Sequence, residues 1–209
     1  MKKGTHFVHQ TVELPSTEAV IAAQKYIVRG GWLKNPYHNY GFARMTALRA
    51  VWIAEQMETD VVIDKVSLTI AAFFCRFEHV GFISDENCFK AIVGLSQFFA
   101  DNSQRVRGLN FQKIRKIVEE SYPETEIPTL IESYILRDAI RMKDPITILQ
   151  DCINETVVEN RMSLQMARST ILRKITRRFG FHTHPAMLLN RNIRDDIRKE
   201  LQKWESLKE

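Results

Sequence analysis

The chain has little of what staples or interrupts a small fold. It holds three cysteines, Cys75, Cys88 and Cys152, an odd number without C-x-x-C spacing. That pattern excludes a disulfide framework and a cysteine-type structural zinc site, and it fits a reducing compartment. Glycine (8) and proline (6) are few, and the chain has neither an internal repeat nor a low-complexity segment. Strand-like alternation is short and rare, which argues against a β fold. No stretch approaches the ~20 consecutive apolar residues that a membrane span needs. No apolar run of signal-peptide type follows Met1 to His6, and a cytoplasmic protein is expected. The basic residues form no single long run. The densest piece, Arg168 to Arg178, reads as the solvated face of an amphipathic helix, and nucleic acid is the less favoured partner.

What remains is ordinary globular material. Hydrophobic residues make up 44% and charged residues 26% of 209 residues, with a net charge of +5. That length supports one domain with a core of its own. The mild basic excess favours anionic partners.

Apolar residues recur at three-to-four spacing almost throughout, which predicts helices over about 16–29, 39–57, 64–78, 85–101, 110–121, 127–143, 145–160, 163–179 and 185–207. Gly30-Gly31, Ser84 before Asp85-Glu86, Asn110 and Gly180 supply the punctuation. Residues 1–15 read as an extended arm or a frayed start. The expected fold is a single all-α domain over 1–209, a bundle of about eight to nine helices with its core over about 16–145 and a C-terminal helical extension over about 146–209.

Two segments concentrate the chemistry. Tyr37-His38-Asn39-Tyr40-Gly41-Phe42-Ala43 opens a helix, and His38 and Phe42, four apart, share a face. Ile70 to Phe74 then leads into Cys75-Arg76-Phe77-Glu78-His79-Val80-Gly81. A helix apolar around most of its circumference belongs in the centre of a fold, so its last turn delivers Cys75, Arg76, Glu78 and His79 to a buried place. Asp138 lies in a third apolar helix, and its carboxylate needs a partner there. Phe42, Phe73, Phe74, Phe77 and Phe82 read as core. His182-x-His184 reads as a loop between helices.

In order and spacing these segments resemble the HD-domain superfamily of metal-dependent phosphohydrolases, and cyclic-nucleotide phosphodiesterases in particular. The resemblance covers about residues 20–145 and implies a helical HD-like bundle. The family's boxes read Tyr-His-Asn-x-x-His-Ala, then Ala-Ala-x-x-His-Asp-x-x-His-x-Gly, then a later Asp. Here they read Tyr37-His38-Asn39-x-x-Phe42-Ala43, Ala71-Ala72-x-x-Cys75-Arg76-x-x-His79-x-Gly81 and Asp138. The resemblance places the metal cage at Phe42, Cys75, Arg76 and Asp138, of which only Asp138 keeps a ligand of the family type. Replacing ligands this way implies no resident metal and no cofactor. The retained His38 and His79 correspond to family residues beside the scissile phosphate, with Tyr37 and Asn39 holding the first box together.

Three functions follow as expectations. The first is a catalytically inactive phosphodiesterase-like protein that binds a small phosphorylated ligand, such as a signalling nucleotide, through His38, Arg76, His79, Asp138, Tyr37 and Asn39. Arg76 then replaces the metal charge and pairs with Asp138 or with the phosphate. The second is a scaffold or homo-oligomer with a vestigial pocket, whose partner face is the C-terminal stripe Leu188, Leu189, Ile193, Ile197, Leu201 and Trp204. The third is a metal-independent hydrolase with His38 as general acid and Glu78 as base.

Overall fold

A computed structural model describes residues 12–30, 38–79, 84–122, 127–142 and 180–206, with short pieces between 157 and 169. Among the described residues the fold is all-helical, with eight helices and no strand. They are α1 (Glu18–Arg29), α2 (Tyr40–Gln56), α3 (Lys65–Phe74), α4 (Asp85–Asp101), α5 (Phe111–Glu120), α6 (Ile131–Arg141), α7 (His184–Leu189) and α8 (Ile193–Ser206). The helices expected over 145–160 and 163–179, the basic piece at 168–178, and Tyr37, Phe82 and Cys152 lie outside the described residues.

Capping chemistry explains most of the starts. Thr17, Asn39, Asp64, Ser84 and Asn110 each accept a hydrogen bond from the backbone N–H three residues on, which satisfies a donor the helix cannot. The helix expected over 185–207 is interrupted. The backbone and side-chain nitrogens of Asn190 both donate to the Ala186 carbonyl, at 3.1 and 2.9 Å, which closes α7 before α8 begins.

α3 is the axle of the bundle. Every residue from Ser67 to Phe74 is buried, and the helix packs against α1, α2, α4, α5 and α6. Burial of a Leu, Ile or Phe side chain contributes about 1.5–3 kcal/mol, so Leu68, Ile70, Phe73 and Phe74 anchor the core. Glu132 of α6, itself buried, pairs with Lys113 of α5 at 2.7 Å and accepts from the Asp64 N–H at 3.1 Å. That junction ties α5 and α6 to the start of α3. At its other end α3 stops before the expected residue 78. The chain tightens into i→i+3 bonds from Phe77 to Phe74 and from His79 to Arg76, and Glu78 turns into the left-handed region at φ 52°.

The C-terminal stripe expected to serve a partner divides: Leu188 stays 57% exposed, while part of α8 faces inward. Ile193, Ile197 and Leu201 are buried in the common core. The apolar face of α8 is therefore consumed by its own fold.

Candidate functional site

Asn39 sets the register of the first segment by capping α2 through the Phe42 N–H at 3.2 Å. His38, just before the cap, is buried and lies against Phe42, with ring centroids 5.2 Å apart. The tight turn after α3 brings His79, also buried, to a centroid distance of 4.1 Å from His38. The two histidine-bearing segments thus meet inside the bundle.

Arg76 is only 3% exposed. It donates from Nη1 to the Cys75 carbonyl at 2.7 Å and from Nη2 to the Ser121 carbonyl at 3.5 Å. Its guanidinium carbon stands 4.3 Å from the centre of the Tyr122 ring, a cation–π contact. Arg137 reaches the same place, donating to the Glu120 carbonyl at 2.6 Å and the Tyr122 carbonyl at 3.2 Å. Both guanidinium groups therefore cap the C-terminal end of α5, where unpaired carbonyls gather negative charge.

Asp138 is fully buried and is claimed by another part of the chain. Its carboxylate accepts from the His182 N–H at 2.9 Å, the Thr183 N–H at 2.7 Å and the Thr183 hydroxyl at 2.8 Å. Burial pushes its carboxyl above the usual range, and these hydrogen bonds offset only part of the rise. The expected Arg76–Asp138 ion pair is therefore replaced among the described residues. α5 supplies carbonyls to Arg76, and the 182–183 backbone supplies donors to Asp138.

Arg141, one turn beyond Asp138, is the site residue that the sequence reading passed over. It donates to the Gly180 carbonyl at 3.0 Å and comes within 3.5 Å of His182 Nε2. Burial pushes its guanidinium down, Asp138 opposes that, and Arg76 adds to it, so the three charges feel one another. The only signal in the sequence was the i, i+3 spacing from Asp138, which places both on one face.

The positions that a phosphohydrolase would use for metal do not fit an ion. Phe42 has no donor atom, and Arg76 is a cation that can only donate hydrogen bonds. The Cys75 thiol is fully buried, donates to the Ala72 carbonyl at 3.3 Å and is pushed up to about 11 by burial, far from the thiolate that metals bind. Both oxygens of Asp138 already accept from the 182–183 backbone. Among the described residues no group of three or more His, Cys, Asp or Glu is placed to hold a metal ion. Glu78, expected as a general base, is exposed and lines the groove between α1 and α4, a cavity of about 1400 Å³ whose lining does not include His38.

A second recess, of about 690 Å³, opens where the end of α2 meets the start of α6 and the 182–189 segment. His182 sits on the loop and His184 opens α7, and both face this recess. Its ring 5.3 Å from that of Tyr134, His182 is pushed below its usual range by burial, with Asp138 opposing and Arg141 and Arg137 reinforcing. Comparison with family models, with curated proteins and with solved structures found no match for this chain.

Proposed function

We propose that this chain is a non-catalytic binder of a small phosphorylated ligand, a nucleotide being the class in view, built on a frame that resembles HD phosphohydrolases without their metal cage. The observation that carries the reading is the excess of cationic groups around one buried carboxylate. Arg76 is buried, the half-buried Arg141 lies one turn beyond Asp138, and the His38–His79 imidazole pair lies at the turn that bears Arg76. Two guanidinium groups against one carboxylate leave positive charge, and a phosphate group relieves that excess with charge-assisted hydrogen bonds. With no metal-activated hydroxide to attack, the bound ester persists. Calorimetric titration with a nucleotide panel tests this. Binding at micromolar level is expected, with Arg141→Ala weakening it about tenfold to a hundredfold and no product by chromatography. Absence of binding across the panel, or binding indifferent to both Arg76→Ala and Arg141→Ala, overturns the reading.

A second reading, a protein-interaction module, keeps one specific support. Three exposed apolar residues, Ile21, Phe89 and Val93, line the α1–α4 groove, and Phe89 is 68% exposed. The oligomeric state of the purified chain bears on it directly.

A further inference from the structure

We infer that the recess between the end of α2, the start of α6 and the 182–189 segment is a binding site for a planar heteroaromatic ring, in chemical class a nucleobase. Its volume of about 690 Å³ falls within the ~300–1000 Å³ of small-molecule sites. Rings and polar edges share its walls with Met57, Ile131, Pro185, Leu188 and Leu189. Trp52 of α2, Tyr134 of α6 and His182 of the loop all line it, with the Gln56 amide and the Glu58 carboxylate at the rim. Trp52 and Tyr134 are half-buried. An aliphatic chain would need neither the imidazoles nor the amide. A flat heterocycle uses both, stacking on the ring faces and hydrogen-bonding at its edge to Gln56 or Glu58.

The wall is held in place before any ligand arrives. The His182 and Thr183 N–H groups are fastened to the Asp138 carboxylate at 2.9 and 2.7 Å. His182 Nε2 faces the Arg141 guanidinium at 3.5 Å. A guanidinium only donates, so this contact suits the tautomer with its proton on Nδ1. The backbone that carries the ring is fixed before binding, which lowers the ordering cost. The carboxylate that would hold a metal in a phosphohydrolase here positions one wall of a different pocket.

This inference deepens the nucleotide reading and rests on it for the phosphate end alone. Arg141 connects the two regions, touching His182 on one side and interacting with Asp138 and Arg76 on the other.

The test uses the full chain with Trp32→Phe and Trp204→Phe, which leaves Trp52 as the single tryptophan of the original three. Its emission is followed while adenosine, guanosine, cytidine, uridine and, separately, pyrophosphate are added. At least one nucleoside should quench Trp52 saturably. Tyr134→Ala should weaken that affinity by about tenfold or more, as loss of a stacking partner does, and Gln56→Ala, at an exposed position that leaves the core untouched, should weaken it for some nucleosides more than others. No saturable quenching at millimolar nucleoside, or quenching unchanged in both variants, overturns the ring site. Pyrophosphate binding without nucleoside binding overturns it too while leaving the phosphate reading standing. Nucleoside binding without pyrophosphate binding supports the ring site and removes the phosphate reading.

Discussion

Cys75 and Arg76 show how adjacent side chains in one turn take opposite roles. Cys75 points into the core, where burial keeps its thiol protonated. Arg76 leaves the same turn toward the end of α5 and holds it with charge. The consequence for Cys75 is chemical silence, since the thiolate is the reactive form. Alkylation of the native protein at mildly alkaline pH should label the partly exposed Cys88 and spare Cys75 until denaturant is added, as read by peptide mass spectrometry. Rapid native labelling of Cys75 would mean that the turn opens. The residue types in this turn were readable from the primary structure, and so was the unsuitability of Phe42 and Arg76 for metal. The partner of Arg76 was not, because Ser121 lies 45 positions away and becomes a neighbour only when α5 docks on α3.

Among the helices, α4 meets the turn that follows α3 at a contact that admits no extra atom. A Cβ at Gly94 would sit 2.3 Å from the Phe77 ring, and Phe77 is itself packed between Tyr26 and Phe74. Gly94→Ala therefore has to displace a buried aromatic ring. An overpacked core of this kind costs about 1–3 kcal/mol, despite the gain in helix propensity that alanine brings. Urea denaturation should show the loss, and Phe77→Leu in the same chain should recover part of it by freeing the space. Helix starts were legible at Ser84 and Asn110 because a cap acts on residues three positions away. The end of α3 was less legible. Its apolar pattern continues through Phe77, and only the packing of that ring against Gly94 and the left-handed Glu78 turn the chain out of the helix.

For the whole molecule, Asp138 is the fastening between the bundle and the C-terminal segment. Removing its carboxylate leaves the His182 and Thr183 N–H groups and the Thr183 hydroxyl without their acceptor. Asp138→Ala should cost about 3 kcal/mol or more, the scale for hydrogen bonds to a buried charge. Hydrogen exchange should rise across residues 181–201 first, since those are the residues the clasp retains. The pH dependence carries a definite sign. Burial raises the folded-state Asp138 carboxyl above its ordinary value, so its contribution is fully present below the unfolded value of ~3.9 and declines as pH rises through the folded one. The stability gap between wild type and Asp138→Ala should therefore be wider near pH 4 than at about pH 7. An equal gap at both would show that the carboxyl titrates as it does in the unfolded chain.

An all-helical chain, its capped starts and its central apolar helix could all be read along the line of residues, because each depends on side-chain type and on spacing within a turn or two. Which buried charge meets which was decided by the fold. Arg76 went to the end of α5, Asp138 to the 182–183 backbone, and the inner face of α8 into the core. Such choices pair groups tens of residues apart, and they are settled by which donors and acceptors would otherwise be buried without a partner.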